Sequence, residues 1–242
     1  MPLLNVDWEK RPGGPLSFLH GWSATIADSL NEQIPRGEGR FLAEMACRTR
    51  FKTVEEIAGF DRGPPTVYTR EGDATDQKYP SFDAPVSTLI APARFTDRVG
   101  VTVIDSSSDR WHVAAAVLFV TPDNKADSDS SLAFAVRAAG FMSAGAGVVI
   151  VDALPGPPSW ATHLHSLTGV YPITKRPRNN DAPILAVHPT VRDGAERFAV
   201  WHHAIAPGFP LPTVPVSVRG AMHLKLDLEA TYAEACTASR IP

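Results

Sequence analysis

Apolar residues recur at every fourth position from Phe18 through Trp22, Ile26, Leu30 and Ile34, and Leu19 and Ala27 widen the stripe. That spacing keeps one side of a helix apolar and predicts a helix over 16–33, with Pro12 and Pro15 ahead of it and Pro35 ending it. Residues 40–53 read as extended, although Glu44, Arg48, Arg50 and Lys52 make the stretch half polar. Residues 61–97 are rich in Pro, Gly, Thr and Asp and read as a long irregular excursion, with a short strand at 87–90. A loop of that length inside a domain is uncommon and points to function or mobility.

The centre of the chain carries the clearest pattern. Residues 99–104 read as a strand, 105–110 as a polar turn and 111–120 as a second, more buried strand. The polar run TPDNKADSDS leads to a helix over 131–142, and a fully apolar strand follows at 148–152. Buried strand, helix, buried strand is the signature of an α/β layer. A short helix at 159–167 and a strand pair at 184–188 and 197–204 come next. The segment PLPTVPVSV holds too many prolines for a central strand and suits an edge or an extended wrap. Leu228, Tyr232 and Cys236 then set the stripe of a helix over 227–239.

Composition narrows the function classes. The 242 residues, 20% of them charged, carry a formal net charge of −3, so bulk charge does not favour nucleic acid as a partner. Only two cysteines, Cys47 and Cys236, are present, which argues against a disulfide scaffold and a cysteine-rich zinc module. MPLLNVDWEKRPGG lacks the apolar run of a signal peptide, and no apolar stretch is long enough for a membrane span. The expectation is one soluble, cytoplasmic domain over residues 1–242.

Most candidate chemistry yields to plainer readings. His163 and His165 fall two apart in a predicted helix and diverge, while His202 and His203 point to opposite sides of a strand. No GxSxG elbow is present, and the glycines of SAGAGVVIV end a helix before a strand, the reverse of a dinucleotide loop. The basic run KRPR at 175–178 lies in a Pro/Asn-rich loop and reads as solvated.

One combination goes further. VAAAVLFVTPDNK, a helix and GVVIVD, together with FLHGWSATIADSLNEQIP, PLPTVPVSV and LDLEATYAEAC, resembles the bacterial domain of unknown function 4058 family. The resemblance covers nearly the whole chain except the middle loop. That family is distantly similar to PD-(D/E)xK nucleases, which implies a restriction-endonuclease-like α/β fold. The expected architecture is a mixed sheet flanked by helices, with a long irregular loop and an extended C-terminal segment.

Such nucleases hold Mg²⁺ or Mn²⁺ between acids at neighbouring strand ends, with a lysine near the attacking water. Here the resemblance puts the central acid on Leu118 and the early acid near Val54. Neither residue ligates a hard cation. Thr121, Pro122, Asn124, Lys125 and Asp152 are retained and suit turns more than a reaction. The resemblance therefore implies a degenerate metal site, no cofactor, and action by binding or assembly, with a homodimer expected by analogy. The alternative is an active Mg- or Mn-dependent nuclease that recruits Glu55, Glu56, Asp123 or Asp152. A third reading is a small-molecule or peptide binder that uses the emptied cleft.

Overall fold

The computed structural model describes residues 14–35, 40–47, 97–107, 112–170, 181–218 and 222–241. The apolar stripe near the N-terminus forms helix α1 (Gly14–Gln33), which buries Phe18, Leu19, Trp22, Ile26, Ala27 and Leu30. Strands β1 (Phe41–Met45), β2 (Val99–Asp105) and β3 (His112–Phe119) follow. The polar run after β3 carries a one-turn helix, α2 (Pro122–Lys125), and helix α3 (Ser128–Ser143) begins directly after it. Strand β4 (Gly147–Val151), helix α4 (Ser159–Thr168) and strands β5 (Ala182–Arg192) and β6 (Ala195–Ile205) continue the chain. Strands β7 (Thr213–Val218) and β8 (Met222–Asp227) and helix α5 (Leu228–Ala238) complete it.

Strands β1 to β6 lie side by side in sequence order in one six-stranded sheet, and β7 pairs with β8 in a second sheet. The large sheet is mixed: β3 and β4 run parallel and the other neighbours antiparallel. The parallel pair needs a crossover, which α2 and α3 supply. The fold is thus α/β with helices on both faces of a mixed sheet. The described residues all belong to one unit, residues 1–49 with 96–242; a second unit, residues 50–95, lies outside them. The excursion expected at 61–97, apart from Asp97, and the short strand at 87–90 therefore fall outside the description.

Strand alternation divides the core into two layers. Val99, Val101, Val117, Phe119, Val149, Val151, Ile184 and Ala186 face α1, α5 and the β7–β8 hairpin. Ala116, Leu118, Val148, Ile150, Leu185 and Val187 face α3 and α4. In the first layer Trp22 packs against Phe119 and Tyr232, with ring centroids 4.8 and 5.1 Å apart. Its indole N–H donates to Thr231 Oγ1 at 3.0 Å and ties α1 to α5. Strand β7 crosses so close to the start of β4 that a Cβ on Gly147 would lie 2.1 Å from the Ser217 carbonyl oxygen. Only glycine fits there.

PLPTVPVSV holds an edge strand, one of the two readings its prolines allowed, but in a second sheet: Thr213–Val218 pairs with Met222–Asp227 in full register. Pro215 is accommodated because β7 pairs through one side only. One expectation is corrected. The helix expected over 131–142 starts at Ser128, because the Asp127 carboxylate accepts from the Ser130 N–H at 2.6 Å and caps the polar first turn. Among the described residues no helix is long and apolar enough to cross a membrane.

Candidate functional site

Residues 121–125 and Asp152 meet where β3 and β4 end. Thr121 and Asn124 form a reciprocal capping box on α2: the Asn124 N–H donates to Thr121 Oγ1 at 3.4 Å and the Thr121 N–H to Asn124 Oδ1 at 3.0 Å. Pro122 occupies the first turn, where its missing N–H costs nothing. Both acceptor and donor atoms of the turn also hold the chain entering β2. Asn124 Nδ2 donates to the Asp97 carbonyl at 3.3 Å, and the Asp97 N–H donates to Asp123 Oδ2 at 3.1 Å. Ser131 Oγ then donates to the Asn124 carbonyl at 2.8 Å and fixes α2 on α3.

Lys125 leaves the end of α2 and reaches the loop after β4. Its ammonium lies 2.8 Å from Asp152 Oδ1. It also donates to the carbonyls of Leu154 at 2.8 Å and Gly156 at 3.2 Å. Asp152 is fully buried, while the Lys125 side chain is 11% exposed. The other oxygen, Asp152 Oδ2, accepts the Trp160 indole N–H at 2.9 Å. Burial pushes the Asp152 carboxyl above the usual range, opposed by Lys125 and the Trp160 donor. With the Pro155 carbonyl at 3.4 Å, the ammonium faces four protein oxygens, three of them backbone carbonyls to which it donates.

Leu118, at the position implied for the central acid, is 6% exposed and packs in the layer under α3 and α4. Its register partners are Gly100 on β2 and Ile150 on β4. Neither offers an oxygen ligand from a side chain. Val54, Glu55 and Glu56 lie outside the described residues, as does the KRPR run. Asp123 has one carboxylate oxygen committed to the Asp97 N–H. The geometry thus brings together Thr121, Pro122, Asp123, Asn124, Lys125 and Asp152, with Leu118 in the same core layer as Trp160. Among the described residues no group of three His, Cys, Asp or Glu is placed to hold a metal ion.

The remaining candidates separate. His163 on α4 sits 3.5 Å from Ser128 Oγ, and His223 on β8 shares a 2.8 Å hydrogen bond with Ser217. His188 stacks edge-on against His223 at 5.3 Å. Cys236 is buried, and burial pushes the Cys47 thiol up, away from the thiolate that a nucleophile needs.

Sequence reasoning missed Trp160, which holds Asp152, and Arg137, which lies over the Phe134 ring with its guanidinium carbon 5.2 Å from the centroid. An arginine inside the apolar helical run FAVRAAG was the available signal. No family model, no curated protein and no solved structure matches the chain.

Proposed function

We propose that the chain is a non-catalytic member of the domain of unknown function 4058 family, built on a restriction-endonuclease-like scaffold and acting by binding or assembly. The observation that carries this reading is the use made of Lys125. In the nucleases that the resemblance brings in, the lysine serves the attacking water. Here its ammonium is spent on Asp152 and on the carbonyls of Leu154 and Gly156.

The implied Mg²⁺ or Mn²⁺ does not fit the described donor set. Leu118 supplies no oxygen, Gly100 and Ile150 beside it supply none, and Asp152 is taken by Lys125 and Trp160. A hard cation needs carboxylate, carbonyl or water oxygens around an open centre. We place the protein in the cytoplasm as a homodimer, which light scattering after gel filtration checks.

The test is calorimetric titration of Mn²⁺ and Mg²⁺ into the purified protein, alongside incubation with plasmid DNA and with RNA. No metal binding and no cleavage is the expected result. Saturable metal binding together with cleavage that disappears in Lys125→Ala would overturn the proposal. It would restore the nuclease reading through Glu55, Glu56, Asp123 or Asp152.

A further inference from the structure

Arg137 on α3 is a half-buried cation without an anion among the described residues. Its Nε and Nη2 are both inaccessible to solvent and have no hydrogen-bond partner. These two nitrogens form one edge of the guanidinium, the edge whose parallel N–H groups match two oxygens of a single oxyanion. The plane of the group rests on Phe134, whose ring stacks edge-on against Trp160 with centroids 5.9 Å apart. Trp160 is itself fixed by Asp152. The fork is therefore held by a packed aromatic support.

A second guanidinium stands nearby. Val99, Val101 and Val103 turn to the α1 layer, so Arg98 and Gly100 belong to the opposite face of β2, the face on which Leu118 lies beneath α3. Arg98 is exposed, and its charge acts on Arg137 unfavourably. Among the described residues neither arginine has a carboxylate partner. Two like charges that act on each other, one of them with two solvent-inaccessible nitrogens whose hydrogen bonds are unmade, destabilise the ligand-free protein. An anion of two charges removes both penalties.

We infer that Arg137 and Arg98 form a binding site for a phosphate monoester, with the dianion accepting two hydrogen bonds from Arg137 Nε and Nη2 and the Arg98 charge closing the outer side. A carboxylate carries one charge and leaves the second guanidinium uncompensated. A phosphodiester likewise carries one charge per group. The site goes beyond the reading of the Lys125 cluster and holds whether or not that cluster is catalytic, since they share no residue.

The experiment is calorimetric titration of inorganic phosphate at constant ionic strength into the full chain, the Arg137→Met and Arg98→Met variants, and Arg137→Lys. Acetate and a short single-stranded oligonucleotide serve as comparison ligands. Saturable binding at one site is expected, weakened about tenfold to a hundredfold in both methionine variants, because each loses charge-assisted hydrogen bonds or a paired charge. Arg137→Lys retains the charge without the fork and falls between. Thermal melting of the same variants supplies the second readout: Arg137→Met melts no lower than the parent without phosphate and loses the parent's phosphate-induced rise. Absence of saturable phosphate binding overturns the inference. So does unchanged binding by Arg137→Met, a clear fall in its melting temperature without phosphate, or tighter binding of acetate or the oligonucleotide than of phosphate.

Discussion

Replacing Lys125 by methionine tests whether this lysine holds the fold or serves a reaction. The substitution keeps most of the side-chain volume and removes the ammonium. It leaves Asp152 fully buried, with only the Trp160 N–H and backbone to support a negative charge, and it strips the donor from the carbonyls of Leu154 and Gly156. Breaking a buried pair from one side costs about 3–5 kcal/mol.

The charge component has an upper bound, since Asp152 escapes by taking up a proton. From its ordinary value of 3.8, protonation at pH 7 costs about 4.4 kcal/mol and at pH 5 about 1.6 kcal/mol. The folded variant binds a proton that the unfolded chain releases above 3.8, so its deficit is smallest in acid and grows as pH rises. Urea unfolding followed by tryptophan fluorescence at pH 7 and pH 5 measures both quantities.

The expected loss relative to the parent is about 3–4 kcal/mol at pH 7, shrinking to about 2 kcal/mol or less at pH 5. Adding Asp152→Asn to Lys125→Met removes the buried charge, recovers part of the loss and abolishes its pH dependence. A loss below about 1 kcal/mol at pH 7 refutes the reasoning, because a surface lysine gives that little. An equal loss at both pH values refutes it too.

Three further outcomes follow from the described contacts. Gly147→Ala drives a methyl group into the Ser217 carbonyl and is expected to cost about 1–3 kcal/mol in chemical denaturation, while Gly140→Ala on α3, where a Cβ meets nothing within 4 Å, costs nothing or stabilises. Arg40 reaches Asp105 through Nη2 at 3.1 Å and holds its carboxyl down at about 2, so the pair contributes above 3.8 and is lost as pH falls toward 2. Arg40 is half exposed, so Asp105→Asn is expected to cost only about 0.5 kcal/mol at pH 7 by thermal melting. Burial holds His20 and His188 below their ordinary 6.5, with His223 adding to the effect at His188. Both favour the neutral ring in the fold, so stability is full above 6.5 and declines as pH falls below it. His188→Gln is expected to flatten that decline in melting scans from pH 7.5 to 5.

How much of this was legible in the sequence follows from the physics of each element. Helix α1, strands β2 to β4 and helix α5 announce themselves because each buries a face with a regular period. Helix α2 does not, since PDNK has no apolar stripe and is made by the Thr121–Asn124 box. Strand β7 was hidden by its prolines, and β8 by alternation too short to separate from the helix that follows. At the site, the resemblance singled out Asn124, Lys125 and Asp152 but read them as turn residues. The distances that engage Lys125, and the effect of the Arg98 charge on Arg137, depend on elements far apart in the chain.

The tie between α1 and α5 has a consequence for how the chain reaches this state. Trp22 and Thr231 are 209 residues apart, yet their hydrogen bond lies in the same layer as Phe119 and Tyr232. Loop closure over such a distance must precede any gain from the contact, which slows the search for the native arrangement. On the ribosome, the part of α1 that faces α5 waits uncovered while some 200 residues emerge, an interval of about 10–40 s at ordinary elongation rates. Phe18 and Trp22, whose rings meet Tyr232, are therefore the apolar surface of the nascent chain that a chaperone must shield longest.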